Sequence, residues 1–130
     1  MFVDTSGIYC LYNRDEKHHE ASIVFYDSAR IRITTNYVLA EYVALADARR
    51  SSRKDAINFS RQVLDDDEIE VIWVDKSLHR QAVQLLHERL DKTYSLCDAV
   101  AFLVMKQRNL LEALTTDEHF DQEGFIRLLK

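Results

Sequence analysis

Four acidic residues stand in or at the end of stretches that are otherwise apolar. They are Asp4, Glu41, Asp98 and Asp117. Carboxylates are rarely buried unless something compensates their charge, and no Lys or Arg occurs in the segments around these four. The pattern therefore predicts a cation supplied from outside the chain. A hard divalent metal ion, which prefers oxygen ligands, is the simplest such cation.

Each of the four acids also has a purely structural interpretation. Asp98 follows Ser95 at the spacing of a capping box, and Asp4 could cap a helix after the first strand. Asp117 could open a turn. Glu41 lies inside its predicted helix, past the caps, and would need a Tyr or Arg partner in the interior. These interpretations require four separate explanations, whereas a shared metal ion requires one.

Charged residues elsewhere in the chain give weaker signals. Asp121, four residues after Asp117, could reach the same pocket or lie on the surface, and His119 is the histidine nearest to the acids in sequence. Asp66 and Asp75 are interpreted as a loop residue and a helix cap. A basic run joins two predicted helices and is either a solvated turn or a place for a phosphate backbone. Its members are Arg49, Arg50, Arg53 and Lys54.

The composition predicts one globular domain spanning residues 1–130, with 47% hydrophobic and 30% charged residues. No apolar run is long enough to cross a membrane, and an Asp at position 4 without a basic lead-in does not resemble a signal peptide. The two cysteines form no motif, so we expect a cytoplasmic protein. The net charge of -5 opposes nucleic-acid binding by bulk attraction, but two divalent ions would offset about four negative charges.

Short strand-like runs alternate with helical patterns along the chain. The predicted strands are 2–4, 30–34, 69–74 and 113–115, with a weak fifth at 125–128. The predicted helices are 9–13, 17–29, 36–48, one from 51 or 52, one from 75 or 77 to 90, and 95–108. In the second helix, the apolar residues Ala21, Val24, Phe25 and Ala29 recur at helical spacing.

This alternation predicts an α/β fold, a small parallel sheet flanked by helices on both faces. Sites in such sheets form at the carboxyl ends of the strands. Asp4 and Asp117 end predicted strands, while Glu41 and Asp98 lie in early turns of the helices that follow loops. One edge of the sheet could therefore gather all four acids.

The same residues resemble the motifs of PIN-domain ribonucleases, and most of all the VapC-type toxins of toxin–antitoxin pairs. The resemblance rests on four stretches in series across essentially the whole chain. They are Phe-Val-Asp-Thr-Ser-Gly at 2–7, Thr-Thr-Asn-Tyr-Val-Leu-Ala-Glu at 34–41, Tyr-Ser-Leu-Cys-Asp-Ala-Val-Ala-Phe at 94–102, and Leu-Thr-Thr-Asp-Glu-His-Phe-Asp at 114–121. No one of these motifs is specific alone, but their order strengthens the match.

The resemblance implies that the four acids are catalytic metal ligands, with Asp121 at a less consistent ligand position and Thr5 or Ser6 as a supporting hydroxyl. It implies an endoribonuclease that uses Mg²⁺ or Mn²⁺ and leaves a 5′-phosphate. It also implies a small antitoxin partner and a homodimer. Aromatic residues crowd the first two helices, which is in keeping with a protein partner. They are Tyr9, Tyr12, Phe25 and Tyr26.

Several alternatives remain open from the sequence. A PIN-like module could bind a partner protein with weak or no nuclease activity, and a solitary RNA-processing nuclease would carry the same acids. A receiver domain would need an acid pair after the first strand and a Lys after the last. A haloacid-dehalogenase-type phosphatase would need Asp-x-Asp where this chain has Asp4-Thr5-Ser6.

Overall fold

The computed structural model describes residues 1–130 and contains one five-stranded sheet in which every pairing is parallel. The strand order is β3-β2-β1-β4-β5, so β1 lies at the centre. The strands are β1 (Phe2–Val3), β2 (Ile33–Thr35), β3 (Glu70–Ile72), β4 (Glu112–Leu114) and β5 (Ile126–Arg127). All five predicted strands are present. Four are shorter than the sequence pattern suggested, and β4 keeps its predicted length but begins one residue earlier.

Helices cover both faces of the sheet, as the alternating pattern predicted. They are α1 (Thr5–Tyr12), α2 (His19–Ser28), α3 (Asn36–Ala48), α4 (Arg53–Val63), α5 (Lys76–Glu88), α6 (Leu96–Gln107) and α7 (His119–Gln122). In one group of helices, α1 packs against α2 and α3, and α3 packs against α4. In the other group, α6 packs against α5 and α7. None of these helices combines the length and apolar character needed to cross a bilayer.

The core lies between the central strands and α6. Phe2 in β1 packs near Phe120, and Phe102 in α6 packs edge-on against the same ring, with centroids 5.0 Å apart. All three side chains are fully buried. The nearly all-round apolar sequence of α6 follows from this central position.

Side-chain caps fix where the longer helices begin. Thr35, Ser52, Asp75 and Ser95 each accept a hydrogen bond from a backbone N–H in the first turn of the helix that follows. Helix α3 begins at Asn36, as predicted. Thr35 caps it, and the Asn36 side chain accepts a hydrogen bond from the Val74 N–H at 2.7 Å. Helix α1 begins at Thr5, four residues before the predicted start, directly after β1.

Gly7 allows α1 to lie against β4. A Cβ atom at this position would stand 2.0 Å from the carbonyl oxygen of Leu114, which is a backbone atom that cannot swing away. The close approach brings the first turn of α1 next to the residues that follow β4.

Helix α2 does not bury all of its apolar positions. Val24 is 63% exposed and Phe25 is 38% exposed, whereas Ser22 is fully buried. The Ser22 hydroxyl donates to the His19 carbonyl at 2.6 Å, so this short polar side chain can be buried with its hydrogen bond made. Helix α2 therefore presents apolar side chains to the outside.

Candidate metal centre

Asp4 directly follows β1, and its side chain is buried. Its backbone N–H continues the sheet by donating to the Leu114 carbonyl at 3.2 Å, and the residue is only 5% exposed. Asp4 occupies the N-cap position of α1, but its side chain makes no capping hydrogen bond. Its Oδ2 atom instead accepts from the Thr115 hydroxyl at 2.7 Å and from the Ser6 hydroxyl at 3.4 Å.

Two hydroxyls tie the end of β1 to the end of β4. Ser6 Oγ lies 3.0 Å from Thr115 Oγ1 and accepts from the Thr116 N–H at 2.9 Å. Of the two predicted supporting hydroxyls, Ser6 therefore contacts Asp4, whereas Thr5 Oγ1 is buried without a partner. Sequence reasoning missed Thr115. The signal that reveals it is strand register, because Val3 pairs with Leu114 and the next residues of the two strands are then neighbours.

Asp98 performs the predicted capping role and faces the other acids as well. Ser95 and Asp98 form a reciprocal capping box, with the Ser95 N–H donating to Asp98 Oδ2 at 2.9 Å. The same Oδ2 atom lies 3.0 Å from His119 Nδ1. Asp98 is 7% exposed. The capping interpretation is confirmed, and it leaves Asp98 in a position that is compatible with metal binding.

Asp117 and His119 complete a compact group with Asp98. Asp117 Oδ1 accepts from the His119 N–H at 2.9 Å, which is the turn expected from the sequence, and it lies 3.4 Å from His119 Nδ1. One ligand atom from each of Asp98, Asp117 and His119 lies within 4.8 Å of the others. The side chain of Asp117 is 34% exposed, so this group opens to solvent.

Glu41 differs from the expectation of a buried carboxylate. Val38, Leu39 and Tyr42 turn the apolar side of α3 to the core, which leaves Glu41 on the exposed side. Its charge still reaches the cluster, because Glu41 contributes to raising the pKa of Asp4 and of the Cys97 thiol. Glu41 therefore lies at the solvent side of the site.

Asp121 and the basic run lie outside the acid group. Asp121 Oδ2 forms an ion pair with Arg127 Nε at 2.8 Å, which provides the cation that the other acids lack. In the basic run, Arg49 lies over the Tyr9 ring at 4.5 Å and Arg53 lies 3.9 Å from Asp47. Both arginines, with Arg50 and Lys54, are exposed.

The acids are electrostatically uncompensated within the chain. Burial raises the pKa of Asp4 to about 7, the Asp98 and Glu41 charges push it the same way, and the Thr115 hydrogen bond opposes them. Burial also raises the pKa of Asp98, with the charge of Asp117 adding to it, while donors from Ser95 and His119 lower it. No Lys or Arg forms an ion pair with Asp4, Glu41, Asp98 or Asp117. Several carboxylates with excess negative charge form a donor set that suits a hard divalent ion.

Comparison with known proteins agrees with this arrangement. The profile of the PIN domain matches residues 1–125. The "23S rRNA-specific endonuclease VapC20" of Mycobacterium tuberculosis, in strains CDC 1551 / Oshkosh and H37Rv, is 30% identical over 133 residues, covering 98% of this chain and 97% of the relative. The crystal structure of M. tuberculosis VapC20, described as a sarcin–ricin loop cleaving toxin, matches with a TM-score of 0.88 at 28% identity and covers 99% of this chain and 98% of that chain. This chain therefore belongs to the PIN-domain family, with a VapC-type protein as a full-length relative.

Proposed function

We propose that residues 1–130 form a single nuclease domain, a metal-dependent endoribonuclease that hydrolyses RNA phosphodiester bonds. The observation that carries this proposal is the gathering of three acids without any Lys or Arg partner: Asp98 lies beside Asp117, and Thr115 bonds both the Asp4 carboxylate and the Asp117 N–H. Asp121, by contrast, has an arginine partner in Arg127. The full-length likeness to a VapC-type endonuclease supports the same reaction.

Asp4, Glu41, Asp98 and Asp117 would hold Mg²⁺ or Mn²⁺. The chemistry that such ions supply at a nuclease site is activation of a water molecule and neutralisation of charge on the phosphodiester. The chain itself contributes position. Ser6 and Thr115 hold the Asp4 carboxylate, and the Ser95 N–H holds that of Asp98. Because these donors come from backbone and short side chains, the carboxylates are fixed before substrate arrives.

The site meets solvent at Glu41 and Asp117, where a polymeric substrate could approach the two buried acids. The cavity of about 250 Å³ in this fold lies beside Trp73 and Leu78 and includes none of the four acids. The basic run 49–54 begins eight residues after Glu41, which corresponds to about 12 Å along α3. We therefore propose that Arg49, Arg50, Arg53 and Lys54 contact the RNA backbone beyond the cleavage site.

We further propose a toxin role in the cytoplasm, with a small antitoxin and a homodimer as partners. Tyr12 is 59% exposed and Val24 is 63% exposed on the paired helices α1 and α2, and Phe25 is partly exposed beside them. Of the other aromatic residues predicted there, Tyr9 is buried and Tyr26 is half-buried. The exposed members support a protein contact on this side of the molecule.

Purified protein incubated with RNA tests the nuclease proposal. We expect cleavage of a mixed RNA pool with Mg²⁺ or Mn²⁺, none with EDTA, and none by Asp4→Asn. The 23S rRNA cleaved by the VapC20 relative is the first defined substrate to compare. Asp66→Asn is the matched control, since Asp66 accepts only from the Glu68 N–H in an exposed loop. Cleavage that persists in EDTA would contradict the mechanism.

Light scattering and co-purification test the proposed partners. The isolated chain at tens of micromolar should scatter as a dimer, and a small protein encoded next to it should co-purify. Val24→Asp should weaken at least one of these associations and leave the fold of the chain intact, because Val24 is exposed. A monomer that retains no neighbouring protein would contradict the partner proposal.

A further inference from the structure

Two hydrogen-bonded groups hold the imidazole ring of His119 in place. Nδ1 lies 3.0 Å from Asp98 Oδ2, and Nε2 lies 3.1 Å from the Thr93 hydroxyl. The ring also packs against Tyr94, with centroids 5.2 Å apart. Both ring nitrogens are therefore engaged.

The Asp98 contact fixes which nitrogen carries the proton. An ionised carboxylate oxygen can only accept a hydrogen bond, so Nδ1 donates to Asp98 and Nε2 keeps the lone pair. The Thr93 hydroxyl then donates to Nε2. No lone pair of the ring is left to face the acid group, although Nδ1 lies close to Asp117 as well.

Asp98 Oδ2 therefore accepts two hydrogen bonds. It accepts from the Ser95 N–H at 2.9 Å and from His119 Nδ1 at 3.0 Å, while Oδ1 makes no hydrogen bond within the chain. The capping box alone restrains the carboxylate from one side, and His119 restrains it from the other. The carboxylate is thereby held with Oδ1 free.

Helix α7, which carries His119, is itself anchored at its other end. The Glu123 side chain is 6% exposed and accepts from Arg89 Nη2 at 3.1 Å and from the Tyr94 hydroxyl at 3.0 Å. Gly124, at φ 93°, lets the chain turn back after α7, and the Phe125 N–H then donates to the Phe120 carbonyl at 2.9 Å. This short helix is therefore fixed relative to Tyr94 and the start of α6.

We propose that His119 is a positioning residue that holds the Asp98 carboxylate for the metal ion, through the hydrogen-bonded series Thr93, His119, Asp98. The inference rests on the proposed function, since it assigns His119 a role toward the ion in that site. Groups that hydrogen-bond to ligating side chains typically change metal affinity by about 10–100-fold when they are removed.

Replacing His119 by Asn or by Gln distinguishes a role in positioning Asp98 from a role in packing. Asn can place its Nδ2 donor near the position of Nδ1, whereas Gln places its amide near Nε2. We expect His119→Gln and His119→Ala to weaken Mn²⁺ binding by about 10–100-fold. The affinity of His119→Asn should stay within about threefold of wild type, because the Asn side chain keeps the hydrogen bond to Asp98. Thr93→Val, which keeps the ring and removes its outer partner, should weaken binding by about fivefold. Thr93→Ser should restore it.

Mn²⁺ titration followed by calorimetry measures these affinities, with melting in EDTA to confirm that each variant is folded. Equal affinity in all variants would overturn the inference. A loss in His119→Asn as large as that in His119→Ala would also overturn it, because a direct ligand or a packing role would give that result. If His119 variants do not fold, the Thr93 pair decides by the same criterion. A wild-type protein that binds no Mn²⁺ would instead contradict the proposed function.

Discussion

Buried negative charge occurs at two places in this fold, and only one of them has positively charged side chains around it. Glu123 is almost completely enclosed, but Arg89, Lys106 and Tyr94 surround it, with Lys106 Nζ 3.6 Å from Oε1. Asp4 and Asp98 are equally enclosed, yet their donors are hydroxyls, a backbone N–H and a histidine. The Glu123 group is neutralised inside the chain, and the acid group is not.

We interpret Glu123 as a structural carboxylate and the acid group as the proposed metal site. Breaking a buried ion pair is costly because it leaves an uncompensated charge, so Glu123 and its partners stabilise the fold as a unit. The acids of the candidate metal centre are buried and repel each other, which makes the folded protein less stable, and a bound cation would relieve this cost. Substitutions in the two groups should therefore have opposite effects.

The largest expected effect is on activity. Asp98→Asn should reduce metal-dependent RNA cleavage by more than about 100-fold, beyond the range for residues that only support a ligand. Glu123→Gln should retain activity within about tenfold well below its melting temperature, because Glu123 contacts none of the four acids. Initial cleavage rates at saturating Mn²⁺ measure both. A comparable loss in both variants would show that the two groups are not functionally distinct.

Metal binding should stabilise the wild type more than Asp4→Asn. At a free ion concentration about one hundred times Kd, one bound ion adds roughly 2.7 kcal/mol, which corresponds to a rise in Tm on the order of 5–10 °C for a domain of this size. Glu123→Gln should gain as much as the wild type, and Asp4→Asn should gain less. Thermal melts with EDTA and with Mn²⁺ provide the comparison. An equal gain in Asp4→Asn would exclude Asp4 as a ligand.

Glu123→Gln should melt below the wild type with or without metal. Hydrogen bonds to charged groups contribute about 1.5–3 kcal/mol, discounted here because the Arg89 side chain is 35% exposed and that of Lys106 is 51% exposed. We expect a decrease in Tm of roughly 4–8 °C. The matched control is Glu118→Gln, which makes the same change at an exposed residue of the neighbouring turn. An unchanged Tm in Glu123→Gln would show that the Glu123 group contributes nothing to stability.

Asp4→Asn should be more stable than the wild type in EDTA, by a few degrees, and only above acidic pH. The pKa of Asp4 is about 7 in the folded protein and has the ordinary value of 3.8 in the unfolded one. The folded state therefore binds the proton more tightly, and the wild type loses stability as pH rises from about 4 through about 7. The two proteins should converge below about pH 4. A difference that does not depend on pH would contradict the origin of the effect in Asp4 ionisation.

The smallest effects are expected at acids outside both groups. Asp75 caps α5 by accepting from the Leu78 N–H at 2.8 Å, and Asn caps helices about as well as Asp. Asp75→Asn and Asp66→Asn should therefore change Tm by less than about 2 °C and leave cleavage within about tenfold. Melts and cleavage rates measured beside Asp4→Asn check this. A large loss of activity in either variant would mean that the metal site extends beyond the four acids.

Local signals were sufficient for the order of the strands and of the longer helices, whereas the four-residue helix α7 was not predicted. Alternating strand and helix patterns predicted a parallel sheet covered on both faces, and the Ser95–Asp98 spacing predicted the start of α6. The apolar spacing of α2 predicted the helix but not its orientation, because periodicity alone does not show which side of a helix meets the core, and Val24 and Phe25 are exposed. The hydroxyl of Thr115 carried no local signal, since its role depends on a strand register with β1.

The sequence by itself determined that Asp4, Glu41, Asp98 and Asp117 lack a cation nearby in the chain and that strand ends could bring them together. Only the tertiary structure decided which carboxylates are compensated by residues distant in sequence. Glu123 obtains Arg89 and Lys106 from the end of α5 and from α6, whereas Glu41 turns out to be exposed. The physical reason is that charge compensation acts through space over a few ångströms, and side chains that far apart in sequence are neighbours only after folding.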